Sequence, residues 1–140
     1  MDPRRRGALA GAVAAALWTA TDPVTKRLFG TPYSDSELLS SFVTRGRWEP
    51  VVGAALHATV GAGFGYGFAG LGGRGVRAGI VVALAENTLL WPGLAVFDRI
   101  HPKRRDGTWP KLVTNPRVFA QATAGHAFFG AVVGALGPQR

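Results

Sequence analysis

Two long stretches of this chain contain no charged residue. Neither Pro50–Gly73 nor Val118–Gln139 holds an Asp, Glu, Lys or Arg. A helix needs about 20 consecutive apolar residues to cross the hydrocarbon core of a bilayer, and both stretches are long enough. A third stretch, Val76–Phe97, is similarly long and apolar but carries Glu86 and Asn87 near its middle. The pattern predicts membrane helices rather than the helices of a water-soluble domain, whose outer faces would be charged.

A shorter apolar run follows the basic N-terminal segment, and we interpret it as a further membrane helix. Its length also suits the core of a signal peptide, although Trp18 fits poorly near a cleavage site. The sequence therefore predicts an all-α, polytopic membrane protein that forms one domain over residues 1–140. The predicted four-helix bundle has transmembrane helices over residues 7–28, 50–72, 76–97 and 118–136.

The first long connection contains an amphipathic segment. In SDSELLSSFVTR, residues 34–45, a serine can cap a helix whose apolar face holds Leu38, Leu39, Phe42 and Val43. We expect this helix to lie along the membrane interface, with Trp48 as an anchor.

The net charge of +8 would suggest a nucleic-acid partner in a soluble domain. Here the basic residues flank apolar helices and form no basic face with interleaved aromatics, so we expect anionic lipid headgroups as the partner and no nucleic acid. Lys103, Arg104 and Arg105 are the strongest candidates for headgroup contacts, and we expect His101 beside them to be solvated. The absence of cysteine excludes disulfides and thiolate chemistry.

The order of the elements resembles that of small four-span inner-membrane proteins from bacteria rich in Arg, Ala and Gly. This resemblance implies a multi-pass protein of the bacterial inner membrane. Basic residues are more numerous in the two long connections than on the side of the termini, which favours cytoplasmic connections and external termini. The Arg triplet before the first helix argues for the opposite orientation.

Small residues recur at every fourth position of two predicted helices, as they do where membrane helices meet. Such faces could pack within the bundle, against a second copy or against a partner subunit. The two halves share a loose pattern of helix, long basic connection and helix, but no repeat with a fixed period is evident. The glycine pairs are Gly61/Gly65, Gly63/Gly67 and Gly130/Gly134.

Polar residues inside the predicted helices are the candidate site. Counted inward at 1.5 Å per residue, His57, His126 and Glu86 lie roughly 10, 12 and 16 Å from the side of the long connections. Asp22 ends the first helix on that side, and Asn87 adjoins Glu86. Glu86, His57 and His126 each share a helical stripe with small residues, so we predict that these polar groups point into the bundle, and that they lie in one leaflet together with Asp22.

Several functions are compatible with such a cluster. It could join the helices by hydrogen bonds, bind a small ligand, or relay protons, since His titrates near neutral pH. We expect a non-enzymatic membrane protein without a cofactor. The alternative is a membrane enzyme or redox subunit in which His57, Glu86 and His126 are metal or haem ligands, although no motif with metal-ligand spacing is present.

Overall fold

The computed structural model describes residues 1–139, which form helices and connecting loops without a β-strand. The fourth and fifth helices continue each other through a 3₁₀ turn, Trp91–Gly93, which contains Pro92. The helices are α1 (Pro3–Phe29), α2 (Asp35–Ser40), α3 (Glu49–Gly70), α4 (Gly75–Leu90), α5 (Leu94–Ile100), α6 (Pro102–Arg105) and α7 (Pro116–Leu136).

Three helical segments are long and apolar enough to cross a membrane. They are Glu49–Gly70, Gly75–Ile100 and Pro116–Leu136, with mean hydropathies of 1.2, 1.7 and 1.3. The all-helical architecture is thereby confirmed, and three of the predicted spans coincide with helices that have the length and composition of a membrane crossing. The remaining predicted span, residues 7–28, falls within α1. This helix has 27 residues but is not one of the three segments named above. A membrane crossing by α1 stays a prediction.

The helix ends follow local sequence signals. Asn115 caps α7 by accepting hydrogen bonds from the backbone N–H groups of Arg117 and Val118, and Pro116 occupies the first turn. Ser34 caps α2 through Glu37 N–H, as the serine pattern predicted. The α2 helix has only 6 residues, so it is shorter than the predicted segment 34–45, and it packs on α3. Its interfacial position stays a prediction.

The backbones of α1 and α3 touch at a pair of glycine steps. Gly7 faces Gly65, and Gly11 faces Gly61. A Cβ on Gly61 would lie 2.5 Å from the carbonyl oxygen of Gly11, and a Cβ on the other three would clash with the facing backbone. Small residues allow this close approach, which brings dispersion and weak Cα–H···O contacts. The predicted Gly61/Gly65 packing face is confirmed, whereas nothing lies within 4 Å of a Cβ at Gly63.

The α4 and α7 helices cross in the same way. A Cβ on Gly130 would clash with the carbonyl oxygen of Gly79, and a Cβ on Gly134 would clash with that of Gly75. The predicted Gly130/Gly134 face is therefore a packing face within the bundle. In both crossings the helices run antiparallel, and each crossing unites one helix before a long connection with one helix after it.

The two crossings reveal an internal repeat that the sequence pattern alone did not. Both later helices carry His-Ala-x-x-Gly-Ala-x-x-Gly, starting at His57 in α3 and at His126 in α7. Gly7 and Gly11 of α1 correspond in spacing to Gly75 and Gly79 of α4, and the facing glycines correspond as well. The bundle thus consists of two similar helix pairs, α1 with α3 and α4 with α7.

The two pairs join on one side only. The α1 and α7 helices pack together, and the Trp18 ring fills the space that a side chain on Gly125 would need. The equivalent pair, α3 and α4, makes no extensive contact within residues 1–139. A gap therefore opens between α3 and α4, while α2, α5 and the long connections close one end of the bundle.

The second long connection is organised by Asp98, whose side chain is only 7% exposed. Its carboxylate accepts hydrogen bonds from Leu112 N–H (2.7 Å) and Val113 N–H (3.0 Å), and from Arg104 Nε (3.0 Å). Arg104 also donates through Nη1 to the Trp109 carbonyl oxygen at 2.6 Å. One buried carboxylate therefore holds the loop that follows α6 against the end of α5.

We predict opposite effects for two alanine substitutions on α3. Gly61→Ala should lower the free energy of unfolding by about 1–3 kcal/mol, because its Cβ meets the α1 backbone and overpacks the crossing. Gly63→Ala should be neutral or stabilise by up to about 1 kcal/mol, because it improves helix propensity in open space. Thermal unfolding in detergent, followed by circular dichroism, measures both. Equal losses in the two variants would contradict the crossing.

Replacing Asp98 should loosen the second long connection. Asp98→Asn leaves Arg104 without its charged partner and aims an amide N–H₂ at backbone donors, which should cost about 1.5–3 kcal/mol. Trypsin should then cleave after the exposed Lys111 markedly faster than in the wild type. The control is Asp106→Asn, since Asp106 is exposed, forms an ion pair with the exposed Arg45 and, among residues 1–139, otherwise accepts hydrogen bonds on its carboxylate only from Thr108, two residues away. Unchanged cleavage in Asp98→Asn would show that Asp98 does not hold the connection.

Candidate functional site

A cavity of about 380 Å³ occupies the gap between α3 and α4. All four long helices reach it, and α2, the 3₁₀ turn and α5 close one end. Val60 of α3 and Leu90 of α4 line it and are 55% and 65% exposed, so its opening faces the surface that the lipid would cover. Most of its wall is apolar, with aromatic rings from Trp18, Tyr33, Phe64, Trp91, Phe97 and Phe129.

The cavity brings together four of the five polar residues that the sequence singled out. His57, Glu86, Asn87 and His126 all line it, each from a different position on α3, α4 or α7. The depths counted along the helices thus placed them at one level of the bundle. Asp22 does not line the cavity. Its carboxylate accepts hydrogen bonds from two serines at the start of α2, Ser34 and Ser36 (3.2 Å for Ser36).

Trp18 contacts both imidazoles. The centroid of its ring lies 5.0 Å from that of His57 and 4.8 Å from that of His126, in edge-to-face geometry. Gly125 makes room for this ring, since any side chain there would collide with it. A residue from α1 thus holds the histidines of α3 and α7 in position at the back of the cavity.

The hydrogen bonds of the histidines use the same ring nitrogen. His126 Nδ1 lies 2.8 Å from the carbonyl oxygen of Ala122, which only accepts, so Nδ1 carries the proton. In the neutral ring, Nε2 is then an acceptor. His57 Nδ1 lies 2.8 Å from Thr19 Oγ1. His57 is 7% exposed, and within residues 1–139 its Nε2 has no hydrogen-bond partner.

The two residues of α4 differ in their surroundings. Asn87 is buried and donates from Nδ2 to Thr123 Oγ1 at 3.2 Å, which links α4 to α7. Glu86 is half-buried and close enough to His126 for an electrostatic interaction. Asn87 therefore joins helices, as a purely structural role would require, whereas Glu86 turns a carboxyl group to the cavity.

The structure adds Asp35, which the sequence did not indicate. Asp35 lies in the first turn of α2 and lines the cavity, and Tyr33 donates to its Oδ1 at 2.8 Å. Burial raises the pKa of this carboxyl to about 6, although His57 and the Tyr33 hydrogen bond act in the opposite direction. In the sequence, Asp35 stands where an acidic residue favours the start of a helix. Asp35 reaches the cavity because α2 folds back over α3, and no local pattern in the sequence shows this.

The basic cluster in the second connection lies largely within the protein. Lys103 Nζ pairs with Glu37 (2.6 Å) and Glu49 (3.0 Å), and Glu37 also pairs with Lys26 at 2.5 Å. Burial acts to lower the pKa of Lys103, but the hydrogen bonds to the two glutamates outweigh it and raise the pKa. Arg104 pairs with Asp98, so of the three predicted headgroup contacts only Arg105 is exposed.

The expectation of a solvated His101 is wrong. His101 is 0% exposed, and its ring stacks on Trp109 with centroids 4.5 Å apart. Burial lowers the pKa of this imidazole. The ring belongs to the packed end of the bundle, where α2 meets the second connection, and not to the cavity.

The alternative of a metal site finds little geometric support. In the part of the chain that the structure describes, no group of three or more His, Asp or Glu side chains is arranged to hold a metal ion. His57 and His126 share a contact with Trp18, and the acidic side chains of the cavity come from α2 and α4. The metal or haem interpretation stays a prediction.

Comparisons with known proteins add no family to this geometry. Neither the protein-family models, nor the curated proteins, nor the solved structures contain a match to this chain.

Proposed function

We propose that this chain is a multi-pass membrane protein that binds a small, largely apolar ligand in the cavity between α3 and α4, without catalysing a reaction. The cavity is the observation that carries this proposal. Its volume of about 380 Å³ falls within the range of small-molecule sites, about 300–1,000 Å³. Apolar walls with a few convergent polar groups are also typical of such sites.

The position of the opening favours a ligand that arrives through the bilayer. Val60 and Leu90 lie where α3 and α4 separate, on segments of membrane-spanning length. A molecule dissolved among lipid chains could pass between these helices without crossing a polar surface. An apolar ligand would also cover wall that is otherwise incompletely packed.

We further propose that α1 is the fourth transmembrane helix. Its glycines meet α3 backbone to backbone, and its Trp18 fills space beside α7, so it lies inside the same bundle. With four spans, both termini lie on one side. The excess of basic residues in the long connections then favours cytoplasmic connections and external termini, in the inner membrane of a bacterium.

The distribution of ionisable groups favours binding over proton transfer. His57, Glu86 and His126 lie in the half of the bundle near the long connections. Beyond them, residues 58–73 and 127–139 contain no Asp, Glu, His, Lys or Arg, and the glycine crossings bring the backbones together there. Within residues 1–139, the charged side chains of that half are Asp2 and the arginines at the starts of α1 and α4. A proton relay across the membrane would need titratable groups or water in that half as well.

We predict that bromodecanol, a neutral alcohol whose bromine quenches indole fluorescence on contact, binds saturably to the protein in lipid nanodiscs. Trp18 and Trp91 line the cavity and should be quenched. Gly93→Leu should weaken this binding at least tenfold, because Gly93 lines the cavity and nothing lies within 4 Å of a Cβ there. The added side chain would occupy ligand space without a clash.

The matched control is Gly63→Leu. Gly63 also has nothing within 4 Å of a Cβ, but it does not line the cavity. Quenching that rises only in proportion to the probe in the lipid, or that both leucine variants leave unchanged, would reject a ligand site in this cavity.

A further inference from the structure

Three of the groups that line the cavity present hydrogen-bond acceptors. Glu86 and Asp35 contribute carboxyl groups, and His126 contributes the unprotonated Nε2 that follows from its bond to Ala122. Tyr33 uses its hydroxyl proton on Asp35. A ligand that matches this set must donate hydrogen bonds.

In the described part of the chain, neither a lysine nor an arginine balances the two carboxyl groups, and the basic groups that act on them are imidazoles, His57 for Asp35 and His126 for Glu86. Among the described residues, neither Lys nor Arg lines the cavity. The ion pairs within residues 1–139 involve Glu37, Glu49, Asp98 and Asp106, and none includes Glu86 or Asp35. A buried carboxylate without a partner is costly, so a cation that enters the cavity would relieve this cost.

The aromatic wall suits the same ligand. Trp18, Trp91 and Phe64 are among six aromatic side chains that line the cavity. Ring faces attract ammonium groups, most strongly where water is excluded. The carboxyl groups fix the charge of the ligand, and the rings accommodate the carbon atoms around its nitrogen.

The open side of the cavity determines what the rest of the ligand can be. The separation of α3 from α4 leaves room for an apolar chain to extend past Val60 and Leu90 toward the lipid. We infer that the cavity binds a cationic amphiphile, with a protonated amine held by the carboxyl groups that line the cavity and an apolar tail that leaves between α3 and α4. This inference rests on the proposed function and specifies the chemical class of its ligand.

The overall charge of the protein distinguishes a preference for a cationic ligand from nonspecific electrostatic attraction. The net charge of +8 repels cations and attracts anions at the surface. A preference for a cation would therefore run against the overall charge and could only arise from a local site.

The experiment displaces bromodecanol from the protein in nanodiscs of neutral lipid with three compounds that share one tail. They are decyldimethylamine, which is protonated at neutral pH, decanol and decanoate, with each concentration expressed per lipid. We expect the amine to displace the probe at about one-tenth of the concentration that decanol needs. Decanoate should be the weakest competitor.

Charge removal within the cavity completes the test. Glu86→Gln should abolish most of the advantage of the amine while leaving displacement by decanol unchanged, and Asp35→Asn should act in the same direction. Asp106→Asn removes the same charge from an exposed loop and should leave the advantage intact. Folding of each variant is confirmed by its circular dichroism and by the binding of bromodecanol.

The outcomes separate this inference from the proposed function. If decanol or decanoate competes as well as the amine, or if Glu86→Gln and Asp35→Asn both keep the advantage of the amine, the cationic ligand is rejected and an apolar site remains. If bromodecanol itself shows no saturable binding, the proposed function fails, and the inference fails with it.

Discussion

Direct contact between helix backbones is the constraint on which the rest of this structure depends. Gly7 and Gly11 of α1 meet Gly65 and Gly61 of α3, and the equivalent glycines of α4 and α7 meet in the same way. In lipid, no hydrophobic effect drives helices together, so dispersion and close approach must do so. The approach is closest in the half of the bundle that contains the termini. At these steps no side chain larger than glycine fits between the paired helices, and the cavity lies toward the other half.

One difference between the two similar helix pairs matches the position of the cavity. Trp18 of α1 packs on Gly125 of α7. By the spacing of the repeat, the equivalent positions are Glu86 on α4 and Leu56 on α3. The Trp18 indole fills the space beside Gly125 and closes the interface between α1 and α7. A carboxyl group and a leucine cannot interlock in that way, and the second interface stays open. The same difference that opens the gap also equips it with an acidic group.

The sequence predicted the parts of this arrangement that depend on one helix at a time. Charge-free length predicted the spans, spacing predicted the Gly61 and Gly130 faces, and depth along each helix placed His57 and His126 at one level. The sequence did not predict the features that depend on how one segment folds back over another. Asp35 reaches the cavity only because α2 lies on α3, and His101 is buried by Trp109 from beyond a turn.

The long connections support the cavity through charged residues whose ion pairs lie outside it. Lys103 joins Glu37 of α2 to Glu49 of α3, so the end wall of the cavity is tied to the helix that forms its side. Every acidic group in this network has a basic partner, whereas Glu86 and Asp35, the carboxyl groups that line the cavity, form no ion pair with Lys or Arg among the described residues. A chain with sixteen basic residues could easily have supplied a partner for them. That it supplies none inside the cavity is the reason to look for the balancing charge in a ligand.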